Sequence, residues 1–285
     1  MPDAAPTPAA DLALVRMPVA PLHAEPRVSS AQTSQALFGR VVWRTARQGD
    51  WLRVRTMPDG YEGWLHAGYL TPLDPGLDDP EVAALLAGRA LPNEHGLLNA
   101  PGVGAAPRVA LGCTVRAGGR TLRLPLGAWV AAEDALLGGD AVAMGELPER
   151  FPRDGEAVVR TARRYFESTS YQWGGLTPWG ADCSGMAQAV YALHGVDLPR
   201  DAWQQAQVGA DAGPDLAAHA PGDLLFFSDR DDRRVTHVGI AAGGGAMCHL
   251  ALGRGGWAVD DLTDDADPYT ARLRPQLVAA RRVLG

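Results

Sequence analysis

Short apolar runs broken by turn residues fill the first half of the chain, whereas apolar positions at helical spacing open the second. Residues 12–17, 41–43, 51–55 and 63–65 are strand-like runs, separated by Gly49-Asp50 and Pro58-Asp59-Gly60. Runs of this length bounded by such dipeptides predict strands. Leu52 and Val54 share one face of theirs, as a half-buried strand requires. Several short strands at this spacing predict a small barrel over residues 11–72. Pro72-Leu73-Asp74-Pro75-Gly76 ends it, and residues 80–88 predict a short helix. A second β set follows at 108–111, 113–116, 121–124 and 127–130, and its Gly127-Ala128-Trp129-Val130 echoes Gly63-Trp64-Leu65. A linker and a second barrel are therefore expected over 73–147. Residues 1–10, rich in Ala and Pro, are expected to be disordered.

After Leu147-Pro148 the period changes. Val158, Val159, Ala162, Tyr165 and Phe166 predict an amphipathic helix over 156–167. Cys183, Met186, Ala187, Val190 and Tyr191 share one face of a second helix that begins near Cys183, with Gly195 as its stop. Strands are predicted at 223–227, 237–241 and 246–250. Helices followed by a run of strands indicate an α+β unit, here over 148–285.

Composition narrows the function classes. The chain has 285 residues, 46% hydrophobic and 21% charged, which is ordinary for globular protein and long enough for two or three compact units. A net charge of -7 argues against nucleic acid as a partner. The N-terminus has no basic stretch followed by an apolar core, and no run is long enough to span a bilayer, so a cytoplasmic protein without a membrane partner is expected. Cys113, Cys183 and Cys248 are odd in number and show no C-x-x-C spacing, so neither a disulfide framework nor a metal site is indicated. No cofactor is expected.

Cys183 stands in Asp182-Cys183-Ser184-Gly185 at a predicted helix start, where unpaired N–H groups and the helix dipole favour an anion. A thiolate is such an anion, and the thiol pKa is expected to fall below about 8.5. The alternative for a lone cysteine is a buried core residue. His237 and His249 flank Gly243-Gly244-Gly245, with residue 243 at their midpoint. In a hairpin centred there the two histidines face each other on one side of the sheet, and Gly239 leaves space beside the imidazole. If the Cys183 helix packs on that side, nucleophile, base and a third polar group meet. Three glycines specify register weakly, so a one-residue slip is the competing reading.

Six segments then occur in order: Tyr171-Gln172-Trp173-Gly174-Gly175, Asp182-Cys183-Ser184-Gly185, Leu198-Pro199-Arg200-Asp201, Pro221-Gly222-Asp223-Leu224-Leu225-Phe226-Phe227, His237-Val238-Gly239-Ile240 and Met247-Cys248-His249. Together they resemble the NlpC-type family of papain-like bacterial cell-wall peptidases. The stretch ending Gly60-Tyr61-Glu62-Gly63-Trp64-Leu65 resembles a bacterial SH3 domain. The fold implied is an α+β papain-like peptidase domain preceded by one or two small all-β SH3-like barrels.

That resemblance implies Cys183 as nucleophile, His237 as base and His249 as the orienting third residue. Tyr171 then helps shape the oxyanion site, with Trp173 near it, and Asp182, Ser184 and Asp201 flank the cleft. In members with SH3-like domains ahead of the peptidase, acidic and tyrosine side chains bind the free amine of an N-terminal L-Ala. Asp201 matches the carboxylate and Tyr61 the tyrosine of that group; Arg40 stands near the place where the resemblance implies a further acidic residue. The implied activity is a γ-D-glutamyl-L-diamino acid endopeptidase acting on short peptidoglycan-derived peptides in muropeptide recycling, with core packing the competing role for Tyr171 and Trp173, a solvated helix cap for Asp201 and a plain surface position for Tyr61. A non-catalytic wall-peptide-binding protein, and an amidase or acyltransferase on the same fold, are the alternatives.

Overall fold

The computed structural model describes residues 12–72 and 107–284. The chain forms two compact units, one ending at Glu146 and the other beginning at Leu147. The disorder expected for residues 1–10 and the helix expected over 80–88 both lie outside the described residues.

In the first unit β1 (Leu12–Val15), β2 (Val19–His23), β3 (Gln32–Leu37), β4 (Val41–Gln48), β5 (Trp51–Thr56), β6 (Glu62–His66) and β7 (Leu70–Pro72) form one sheet in the order β3-β2-β6-β5-β4-β1-β7. Leu52 and Val54 point inward with Val15, Leu22, Val42 and Leu65, each such side chain stabilising the fold by about 1.5–3 kcal/mol. The sequence pattern misses β2 and β3. The polar run of β3 buries Ser34 and Gln35, so apolar alternation does not mark it.

The second set of runs becomes a separate sheet of β8 (Arg108–Ala117), β9 (Arg120–Leu124), β10 (Trp129–Val130) and β11 (Ala135–Ala143). The runs at 108–111 and 113–116 are one strand continuing through Gly112. β11 was not legible because Leu136 and Leu137 are exposed and its register breaks twice, around Gly138 and Gly139. Arg40 joins the two sheets of this unit. Its Nε and Nη2 donate to Gly127 O at 3.3 and 3.1 Å, and its guanidinium lies 4.4 Å from the Trp129 ring centre.

The second unit begins with the short α1 (Leu147–Arg150) and then α2 (Gly155–Phe166). Asp154 caps α2 by accepting from the Ala157 N–H at 2.8 Å. A two-stranded ribbon, β12 (Leu176–Thr177) and β13 (Gly180–Ala181), leads into α3 (Cys183–Leu193), followed by α4 (Ala202–Gln205). The remaining strands are β14 (Ala210–Asp211), β15 (Leu224–Phe227), β16 (His237–Gly243), β17 (Ala246–Ala251), β18 (Gly256–Asp261) and β19 (Leu277–Arg282), ordered β14-β19-β15-β16-β17-β18, with α5 (Pro268–Leu273) before β19.

Pleat parity divides this sheet. Leu225, Phe227, Ala241 and Met247 form one face, covered by Leu262 and by Leu273 of α5. Since Phe227 pairs with His237, both histidines belong to this face. Cys248 points the other way, towards Tyr191 of α3 and Arg163 of α2. The body of the Cys183 helix therefore packs on the face opposite the histidines, contrary to the expected arrangement, while at its start the Cys183 sulfur accepts from the Val238 N–H of β16.

Candidate active site

Cys183 is the first residue of α3 and is buried. Asp182 is the N-cap, accepting from the Gly185 N–H at 2.7 Å through Oδ1 and from the Gly174 N–H at 2.8 Å through Oδ2. The same carboxylate meets Arg200, whose Nη1 and Nη2 donate at 3.0 and 2.7 Å. Arg200 also donates to Ser184 Oγ at 2.9 Å, and it is only 2% exposed. Gln205 donates to Ser184 O at 3.0 Å and to Pro199 O at 2.8 Å. Residue 185 is glycine because a Cβ there would come within 2.0 Å of Gly175 O. Asp182 and Ser184, expected beside the cleft, are both buried and hydrogen-bonded to Arg200 next to Cys183. Arg200 and Gln205 were missed as site residues, because nothing in Leu198-Pro199-Arg200 tells a buried ion-pair partner from a surface arginine.

On the other side, His237 Nε2 lies 2.7 Å from His249 Nδ1, and His249 Nε2 lies 2.9 Å from Asp260 Oδ2. The hairpin pairs Ile240 with Cys248 and Ala241 with Met247, then bulges before Gly243. That register puts His249 opposite Gly239, two residues along from the expected pairing with His237. A two-residue shift preserves parity, so the rings still share a face and meet diagonally, 5.0 Å between centres. The space beside Gly239 is filled by Met247, whose Sδ would stand 2.2 Å from a Cβ there. Asp260 was also missed, although the arithmetic that paired the histidines finds it. β17 and β18 pair Met247 with Asp260 and His249 with Ala258, which sets Asp260 on the histidine face.

Electrostatics reverse the expectation of a resting thiolate. Burial pushes the Cys183 thiol up to about 12, and the Asp182 carboxylate adds to the rise against the N–H groups of Val238 and Ser184, which donate to the sulfur. Burial together with His249 pushes His237 down to about 3, with Asp260 opposing. Both shifts favour a neutral thiol and a neutral imidazole in the resting site. The helix terminus is outweighed because its cap is itself a carboxylate and the thiol is out of water. Since Nε2 of His237 is turned to His249, Nδ1 is the nitrogen left to take the thiol proton.

The other expected contacts are distributed as follows. Tyr171 is half-buried and bridges Ala181. Burial, with the Asp182 carboxylate adding to it, raises its phenol pKa, so it stays a hydroxyl donor. Trp173 is 66% exposed and is no part of the core. Asp201 is the N-cap of α4, half-buried, and accepts from the Trp203 indole at 3.3 Å. Burial raises its pKa, with Arg200 opposing. Tyr61 belongs to the first unit, where its ring packs against the core of the seven-stranded sheet and its N–H meets Asp59 Oδ1 at 3.3 Å. Among the described residues no cluster of His, Cys, Asp and Glu side chains could hold a metal ion, and no helix is long and apolar enough to cross a membrane.

Residues 168–270 match the NlpC/P60 family, and residues 22–70 match the bacterial dipeptidyl-peptidase Sh3 domain. A gamma-D-glutamyl-L-lysine dipeptidyl-peptidase of Bacillus subtilis (strain 168) is 30% identical over 236 residues, covering 76% of this chain and 71% of that protein. The chain belongs to the NlpC/P60 family. A second gamma-D-glutamyl-L-lysine dipeptidyl-peptidase, from Bacillus cereus, is 29% identical over 233 residues, 76% of this chain and 66% of its own length. The crystal structure of an NlpC/P60 family protein from Bacillus cereus superposes with a TM-score of 0.71 at 18% identity, covering 96% of this chain and all of that one. In this chain an N-terminal SH3-like β domain is followed by the NlpC/P60 α+β domain.

Proposed function

We propose that this protein is a cysteine peptidase that cleaves the γ-D-glutamyl-L-diamino acid bond of short cell-wall peptides bearing a free N-terminal L-Ala, in intracellular muropeptide recycling. The observation that carries the reading is the hydrogen-bonded chain from His237 through His249 to Asp260, on strands beside a helix that starts with Cys183. In the reaction the Cys183 sulfur attacks the γ-glutamyl carbonyl carbon while its proton passes to His237 Nδ1. The C–N bond then breaks, the amine leaves with that proton, and a thioester remains. Water, deprotonated by His237, hydrolyses the thioester and restores the thiol. Thiolate and imidazolium arise together in the reacting complex, which fits a resting site where burial favours both neutral forms. Tyr171, held as a phenol, supports an oxyanion donor role. The specificity for dipeptide-length amine ends rests on Asp201 and on the names of the two Bacillus relatives. A half-buried carboxylate whose pKa is raised by burial gains from an ammonium partner.

The test compares kcat/KM for L-Ala-γ-D-Glu-L-Lys and its N-acetyl form. Removing the ammonium costs about 2–5 kcal/mol if Asp201 pairs with it, so the acetylated peptide is cut at least roughly tenfold less well, and Asp201→Asn narrows the gap. Equal values for the two peptides reject the free-amine specificity.

A further inference from the structure

Both nitrogens of His249 are engaged, and the ring is 0% exposed. Its Asp260 partner is held in turn by Arg254, with Nε 3.2 Å from Oδ2 and Nη2 2.8 Å from Oδ1. Arg254 also donates to Asp267 and lies over the Tyr269 ring, 4.3 Å from its centre. A carboxylate gripped by a guanidinium is ionised and only accepts hydrogen bonds. Burial pushes the Asp260 pKa up, but the hydrogen bonds from His249 and Arg254 outweigh it and hold the group below the usual carboxylate range.

We propose that Asp260, steadied by Arg254, is a positioning residue that sets the tautomers of both histidines and thereby makes Nδ1 of His237 the basic atom. A neutral imidazole carries one N–H and one lone pair. Facing an acceptor that cannot donate, His249 carries its proton on Nε2. Its bare Nδ1 then accepts from His237 Nε2–H, and His237 is left with an unprotonated Nδ1. With the opposite tautomer of His249, Nδ1–H would donate to His237 Nε2. The proton of His237 would then occupy Nδ1, which could no longer take the thiol proton. A carboxylate that never meets the substrate thus decides whether the base can act. The consequence for turnover rests on the peptidase reading above; the tautomers can be read without it.

The test uses the full chain. In 15N-histidine NMR of the wild type near neutral pH, His249 and His237 should both show a protonated Nε2 and a bare Nδ1; the reverse pattern in either ring overturns the proposal. Asp260→Leu removes the acceptor while filling its space, so His249 should change tautomer. For L-Ala-γ-D-Glu-L-Lys, kcat should then fall by about a hundredfold or more with KM little changed, and alkylation of Cys183 by iodoacetamide should slow in parallel. Asp260→Glu keeps an acceptor and should recover most of the rate and the wild-type tautomers. A folded Asp260→Leu protein with wild-type kcat and tautomers overturns the proposal; if that variant does not fold, the wild-type spectrum and Asp260→Glu decide. Wild-type protein that shows the expected tautomers and yet leaves the peptide intact supports this inference and rejects the proposed function.

Discussion

The proposed nucleophile and the proposed base are each fixed by an arginine–aspartate pair, but the two pairs sit in different surroundings. Arg200 and Asp182 hold the first turn of α3 with side chains 1% and 8% exposed. Arg254 and Asp260 hold the far end of the histidine chain, and there the guanidinium is 28% exposed. In the first pair neither charge has water to fall back on, so loss of one partner strands the other. In the second, solvent can replace the arginine while the carboxylate keeps its bond to His249. The nucleophile side is built to be immobile; the base side is built to keep a hydrogen-bond direction.

The largest effects are expected at the reacting atoms. Cys183→Ala should abolish peptide hydrolysis with the fold intact, and His237→Ala should do the same. His249→Ala should leave a measurable rate, because orienting a base contributes less than being one. Cys113→Ser and Cys248→Ser should remain active, and wild-type turnover in Cys183→Ala would remove the nucleophile assignment. Steady-state kinetics beside circular dichroism check all five.

Next in size is stability. Arg200→Ala should destabilise the second unit by about 3–5 kcal/mol, the cost of leaving the Asp182 charge buried and unpaired. Arg254→Ala should cost about 1 kcal/mol or less, because solvent screens the pair it breaks. Urea denaturation reports both, and equal losses would erase the distinction drawn here.

The smallest effect is in pH. The folded pKa values of His237 and His194 lie below the ordinary histidine range, burial being the first cause for each. Below about pH 6.5 the unfolded chain therefore binds protons that the folded chain refuses, and stability should decline as pH falls from there. The thiols run the other way. Burial raises Cys183 and Cys248 to about 12, so the stability they carry is present at neutral pH and lost as pH rises beyond about 8.5. Thermal melts of the wild type and His237→Gln from pH 4.5 to 7 test the acid limb, which should be shallower in the variant.

These differences bear on what could be read beforehand. α2 and α3, the strands carrying the histidines and the change of period after Leu147 were legible, because each depends on local spacing. The fixed parity of strands also put His237 and His249 on one face, and a two-residue error in register did not disturb it. β3 and β11 were not legible, since one buries polar side chains and the other exposes leucines.

The sequence by itself determined that Cys183 starts a helix and that His237 and His249 share one face of a hairpin, because helix caps and strand alternation act over a few residues. Only the tertiary structure decided that Asp182 and Ser184 serve Arg200, that α3 packs on the sheet face away from the histidines, and that Asp260 completes their chain. It also decided the charge state of the resting pair, since a helix terminus is a local feature whereas exclusion of water is a sum over everything packed around Cys183 and His237.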